Sequence, residues 1–333
     1  MSGGAASRPT ALVAAGGGLG DVLRATPLVR VLAALGHDVD VAIAPDYLGT
    51  VALLDGAPQI RRLYHRASDW CRAAPDDPPR ERLAGLAETQ YDVAVVTTWG
   101  APVAHLARAR RTIAYERARW IRGGDPACAE HAARSLGWDA PLPAPFAVPS
   151  ARTFDVAPGT VALHPGCKPG WPWKKWHGFD ALAAALPSVV IVGTPADAEN
   201  AGTYFGRAFA WPAHARSYVG ALSLADTAAL LARCAALVSN DSGLLHLGVA
   251  LGVPTLGVFG LTSPARELMP AAHAAAVTKG LPCEPACRRQ PWGRRDCALH
   301  LRCLRTLEPD EVLARLHALL GATARLAPEV TVA

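Results

Sequence analysis

The sequence has no long apolar run. Although 51% of its 333 residues are hydrophobic, none of its apolar stretches approaches the roughly 20 consecutive residues that a membrane-spanning helix needs. The first ten residues, MSGGAASRPT, also lack the apolar core of a secretory signal. Both absences predict a globular, cytoplasmic protein. Charge is sparse too, at 18% of residues with a net charge of +5, and the basic residues gather in two places. One group is Arg108, Arg110, Arg111, Arg117, Arg119 and Arg122; the other runs from Arg288 to Arg305. Neither group is interleaved with aromatics or carries a nucleic-acid reader motif, which argues against a nucleic-acid partner. A phosphate-bearing partner or an anionic membrane face suits such patches, so the expectation is at most peripheral contact at the inner face of the cytoplasmic membrane.

A chain of this length exceeds one compact core and predicts two domains. Short apolar strands alternate with helical segments, the pattern of βαβ units around parallel sheets. A first series has strands near Ala11 to Ala15, Val39 to Ile43 and Val93 to Thr97. A second has Thr160 to His164, Val189 to Val192, Ala236 to Ser239 and Pro254 to Phe259. Between them, Asp139 to Gly159 is rich in proline and reads as a linker, placing the domains at residues 1–148 and 149–333. A last amphipathic helix from about Pro309 to Leu320 is expected to pack back across the domains.

Ligands of parallel sheets gather beyond the carboxyl ends of the strands, so the two domains are expected to face each other across a cleft lined by these loops. In the segment VSNDSGLLHLGVALGVPTLGVFG, Val238 to Gly260, a strand meets a polar turn and a helix start. There Asp241, Ser242 and Gly243 suit a pyrophosphate, through unpaired backbone N–H groups and the positive end of the helix dipole. His246 follows about one turn into that helix and can donate a charge-assisted bond. After the first strand comes GGGLGDVLRATP, Gly16 to Pro27, in which Asp21 occupies the slot where the dinucleotide fingerprint requires a third Gly or Ala. A carboxylate there can cap the helix or take a proton from a hydroxyl. The stretch CKPGWPWKKWHGF, Cys167 to Phe179, brings Lys174 and Lys175 to neutralise a diphosphate, while Trp171, Trp173 and Trp176 serve either stacking or packing. Four cysteines, Cys283, Cys287, Cys297 and Cys303, cluster near the end. In a cytoplasmic protein they suggest a structural zinc or iron site, with reduced thiols and then disulfides as the alternatives.

Taken together, GDVLRATP (Gly20 to Pro27), the Lys174 to Trp176 pattern after Gly166, and NDSGLLHL followed by ALGVPTLGVFG resemble glycosyltransferase family 9, the ADP-heptose-dependent heptosyltransferases of lipopolysaccharide assembly. The resemblance implies an α/β fold of GT-B type, with two Rossmann-like domains and parallel sheets, the first on the acceptor side and the second binding the nucleotide sugar. It implies that Asp21 is the general base, that Gly20, Lys174, Asp241, Ser242, Gly243 and His246 bind the donor, and that the chemistry is inverting and needs no cofactor. The implied partners are an ADP-sugar and a glycan, lipid-linked or protein acceptor. Three rival readings remain: a nicotinamide-dependent oxidoreductase, which Asp21 argues against, a GT-B sugar-nucleotide epimerase, and a nucleotide-binding relative without activity.

Overall fold

The computed structural model describes residues 7–46, 49–67, 81–168, 171–194, 197, 208–283, 297 and 299–324. The chain divides into two compact units, Met1–Val148 and Pro149–Ala333. The backbone on each side of the division is tied to its own unit: Val148 N–H donates to Leu53 O at 2.7 Å, and Ser150 N–H to Ala225 O at 3.1 Å.

In the first unit the strands are β1 (Thr10–Gly17), β2 (Asp38–Asp46), β3 (Arg62–Ala67), β4 (Glu81–Arg82), β5 (Gln90–Val96) and β6 (Arg108–Ala114). They form one sheet in the order β4-β3-β2-β1-β5-β6, parallel except for the β3–β4 pair. Helices α1 (Leu19–Leu23), α2 (Thr26–Ala34), α3 (Ala101–Ala104) and α4 (Arg117–Ser135) accompany it. The central strand β1 is apolar and buried from Ala11 onward because helices cover both faces of a parallel sheet, and its residues Leu12 and Ala14 enter a core with Tyr64, Tyr91 and Val103. Helix α4 is broken at Gly124, which has φ +65°. Glycine tolerates that left-handed value, and Pro126 lacks the N–H that would continue the ladder. The break starts a fresh helical turn at Asp125.

The second unit repeats the plan with β7 (Val161–His164), β8 (Val189–Ile191), β9 (Ala215–Ser217), β10 (Ala236–Asn240), β11 (Thr255–Val258) and β12 (Ala274–Val277). Their order is β12-β11-β10-β7-β8-β9, all parallel. The helices are α5 (Phe179–Ala185), α6 (Leu224–Leu231), α7 (Gly243–Ala250), α8 (Pro264–Glu267), α9 (Arg302–Arg305) and α10 (Pro309–Ala324). The buried face of α10, Val312, Leu316 and Leu319, joins this unit's own core with Trp176, Phe179 and Leu304.

Trp176 holds the loop after β7 in that core. Its ring is fully buried, its indole N–H donates to Leu307 O at 2.8 Å, and its backbone N–H donates to Asn240 Oδ1 at 3.0 Å. Among the tryptophans of this loop it is the fully buried one. Its substitution by Ala is expected to destabilise the protein by about 3–5 kcal/mol, and Trp176→Phe by less, as read from urea unfolding.

Candidate active site

Two constellations form at the carboxyl ends of the strands, one in each unit. In the second unit, β10 ends at Asn240 and delivers Asp241 into a buried position with 4% of its surface exposed. A buried carboxylate needs partners. Lys174 Nζ, from the 3-10 turn Pro172–Lys174 after β7, contacts Asp241 Oδ2 at 2.5 Å. Thr262 Oγ1, from the loop after β11, donates to the same oxygen at 2.6 Å. Burial works to raise the Asp241 pKa, but the Lys174 charge and hydrogen bond, the Thr262 hydroxyl and the His246 charge outweigh it and hold the carboxyl below its ordinary value. Lys174 also lies over the Trp171 ring, 5.1 Å from its centroid.

Beneath this pair, Asn240 acts as a clamp. Its side-chain N–H groups donate to Pro165 O at 2.8 Å and Gly166 O at 3.2 Å, while its oxygen receives the Trp176 N–H. Gly166 has no room for a side chain, since a Cβ there would lie 2.4 Å from Asp197 Oδ1. Nearby, His164 Nδ1 lies 3.0 Å from Val192 O; a carbonyl only accepts, so Nδ1 carries the proton. Burial lowers the pKa of this ring, against the Asp197 charge and the bond to Val192.

Neither Asp241 nor Ser242 caps α7 with its side chain. Ser242 holds the N-cap position without a side-chain cap bond, and its hydroxyl instead pairs with Ser239 Oγ at 3.1 Å. The salt link outcompetes capping for Asp241. Gly243 opens α7, and His246 lies buried on its first turn. Thr262 was not among the residues anticipated; its place just beyond the end of β11 is the available signal.

In the first unit, Asp21 stands in the first turn of α1. Its Oδ2 accepts the Gly18 N–H at 2.8 Å, and its Oδ1 accepts from Arg24 Nη2 at 2.6 Å. Arg24 is buried and also reaches Asp125 with Nε, 2.8 Å from Oδ2. The break at Gly124 therefore supplies a second carboxylate that shares the guanidinium. Gly17, at φ +90°, lets the loop close over Asp21: a Cβ there would stand 2.8 Å from Asp21 Oδ2 and 2.9 Å from Trp99 Cδ1. Gly20 is buried within α1, so it belongs with Asp21 in the first unit, while the other five anticipated donor residues gather in the second. Asp21, Arg24, Thr97, Trp99, Tyr115 and Asp125 line one small pocket.

The cysteine cluster expected to hold a metal lies partly outside the described residues. Among the described residues no group of three His, Cys, Asp or Glu side chains could hold a metal ion. Cys303 is buried in the apolar core of the second unit. Cys297 packs beside Leu261, Leu301 and Trp173, Cys283 is half-buried, and Cys287 lies outside the described residues.

The Lys174–Asp241 pair has a calculable pH signature. A carboxyl depressed in the folded state contributes stability above its unfolded pKa of about 3.9 and loses it as pH falls through the lower folded value. Lys174→Met leaves burial as the dominant influence and raises the carboxyl instead. The variant is expected to lose about 3–5 kcal/mol at neutral pH, and that deficit should shrink on acidification as Asp241 takes up a proton. Lys174→Met/Asp241→Asn should recover part of the loss. Thermal unfolding across pH checks both.

Residues 129–292 match the family model described as glycosyltransferase family 9 (heptosyltransferase), a span that holds Lys174, Asp241, Ser242, Gly243 and His246. The chain is 32% identical over 172 residues to lipopolysaccharide heptosyltransferase 2 of Salmonella typhimurium, covering 48% of this chain and 47% of that protein; it thus matches about half the length of this relative. Among solved structures, Escherichia coli ADP-heptose lipopolysaccharide heptosyltransferase II superposes with a TM-score of 0.66 at 20% identity, covering 95% of this chain and 99% of that one. The E. coli heptosyltransferase WaaC with ADP gives 0.61 at 18% identity, covering 93% and 99%. These likenesses identify the two-sheet α/β fold as that of the GT-B heptosyltransferases. Residues 129–292, about half of the chain, are thus similar to glycosyltransferase family 9 (heptosyltransferase).

Proposed function

We propose that the protein is a glycosyltransferase that moves heptose from ADP-heptose to a hydroxyl of a lipopolysaccharide-core acceptor. The observation that carries this reading is the buried Asp241 carboxylate, fixed by Lys174 and Thr262 at the start of α7. It holds a lysine at a helix N-terminus, where backbone N–H groups and the dipole favour a diphosphate. The family match over this stretch and a relative of the same fold solved with ADP support ADP as the nucleotide.

In the proposed reaction the acceptor oxygen attacks the anomeric carbon, the bond from that carbon to the diphosphate oxygen breaks, and ADP leaves with the electron pair. Attack from the face opposite the leaving group inverts the configuration. Asp21 takes the acceptor proton. Its two oxygens each hold one hydrogen bond, to Gly18 and Arg24, and each retains a lone pair for that purpose. Gly20 stands beside Asp21 in the first turn of α1. Lys174, with the backbone at Ser242 and Gly243, stabilises the departing diphosphate, and His246 lies one turn behind them. No step calls on a metal. An acceptor of this class places the reaction at the inner face of the cytoplasmic membrane.

Incubation with ADP-heptose and heptose-deficient lipopolysaccharide should release ADP only when both are present; turnover of the nucleotide sugar without acceptor would favour an epimerase instead. Asp21→Asn is expected to reduce transfer by about 10²–10⁴-fold, the usual worth of a general base, while leaving the ADP-induced rise in melting temperature intact. Undiminished transfer removes Asp21 as the base. Lys174→Ala is expected to weaken ADP binding about tenfold or more, consistent with loss of a charge-assisted contact, read by titration calorimetry with UDP, GDP and NAD as controls.

A further inference from the structure

The reaction above assigns no role to Asp125, although it shares a guanidinium with the base. A guanidinium and a carboxylate that have only each other commonly pair as a fork, through two parallel N–H···O bonds. Arg24 does not close on Asp21 in that way. Its Nη2 donates to Asp21 Oδ1 at 2.6 Å, while Asp21 Oδ2 accepts instead from the Gly18 N–H at 2.8 Å. Nε, the neighbour of Nη2 on the same edge of the guanidinium plane, stands 2.8 Å from Asp125 Oδ2 in an ion pair. One edge of the fork is thus divided between two carboxylates.

The chain places Asp125 there through the break in α4. Gly124 takes φ +65°, and the turn that follows brings the Asp125 carboxylate, with 6% of the residue exposed, to Arg24. Thr98 Oγ1 lies 3.4 Å from Asp125 Oδ1. Burial and the Asp125 charge hold the Tyr115 phenol well above its ordinary range, and the same two causes push the Cys128 thiol up to about 12. Both neighbours therefore stay neutral and do not compete with Arg24 for the charge. The space enclosed by Asp21, Arg24, Tyr115 and Asp125 is too small for a water molecule, so Asp125 meets no substrate and acts through Arg24.

We infer that Asp125 is a positioning residue for the transfer: by holding Arg24 Nε it keeps the guanidinium from closing as a fork on Asp21, and so leaves Asp21 Oδ2 a lone pair for the acceptor proton. Without it, Nε and Nη2 can engage both Asp21 oxygens at once. A carboxylate whose two oxygens both hold charge-assisted bonds is stabilised as the anion and is a poorer proton acceptor. The inference rests on the assignment of Asp21 as the base.

The test is a double-mutant cycle on the whole protein, with ADP release from ADP-heptose in the presence of heptose-deficient lipopolysaccharide as the readout. Asp125→Asn keeps the shape of the side chain and removes its charge. It is expected to lower kcat about tenfold or more, with KM for either substrate unchanged. In the Asp21→Asn background the same replacement should alter kcat by less than about twofold, because no carboxylate remains for the fork to engage. A merely structural role would lower kcat alike in both backgrounds. Gly124→Ala strains the backbone at φ +65° and displaces Asp125 with its charge intact. It should lower kcat in the same non-additive way, and it decides the matter if Asp125→Asn does not fold; melting temperatures near that of the wild type establish folding. Wild-type kcat in Asp125→Asn, an equal loss in both backgrounds, or a raised KM at unchanged kcat overturns the inference. Full transfer by Asp21→Asn removes the base and this inference with it, whereas lost transfer in Asp21→Asn beside full transfer in Asp125→Asn removes only the role given to Asp125.

Discussion

Taking the Asp241 carboxylate out of water costs several kcal/mol unless a cation and hydrogen-bond donors meet it with good geometry. Lys174 and Thr262 supply both, and they come from the loops after β7 and β11 on either side of β10. Three strand ends are thereby held in one arrangement before any ligand arrives. Asn240, one residue earlier, extends the same constraint downward to Pro165, Gly166 and Trp176, and Trp176 passes it to α10 through Leu307 and the core. Loops that are ordered in advance lose less entropy on binding.

The first unit solves a related problem differently. Asp21 also follows a strand and stands at a helix start, but its side chain keeps 23% of its surface exposed while Arg24 and Asp125 retain less than half as much. The buried charges here are the supporting ones. Arg24 lies between two carboxylates, so the group of three carries a net charge of −1 centred on the accessible member. In the second unit the buried carboxylate supports an accessible lysine, and the cation there retains 15% exposure. The two halves of the duplicated plan thus present opposite charges to solvent from similar positions.

Much of this was legible in the sequence where apolar runs and turn chemistry coincide. The strands β1, β5, β7, β10 and β11 each carry a short apolar run because both sheet faces are covered, and the start of α7 is announced by Asn240 to Gly243. The edge strands, with β3 beside β4, were not legible. β6 reads RARRTIA, and as an edge strand it can expose Arg108, Arg110 and Arg111, so what looked like a basic surface patch is also a strand. β3, β9 and β12 likewise lack a distinguishing pattern at their short lengths. The partners of the site residues were hidden for a further reason. Asp125, Trp99 and Tyr115 lie far from Asp21 along the chain, and Thr262 is 21 residues from Asp241; only the strand order brings them together. Asp241 itself was legible as a site residue but not in its role, because its competing partners lie on other loops.

The shared guanidinium in the first unit makes position 24 intolerant of a replacement that preserves charge. Arginine reaches Asp21 with Nη2 and Asp125 with Nε, two nitrogens set apart on one rigid plane. A lysine offers a single nitrogen on a flexible stem, which can approach either carboxylate closely but cannot keep both in their present orientations. The arginine is thus a ruler as well as a counter-charge, and it transmits the position of the helix break at Gly124 to the carboxylate at the mouth of the pocket.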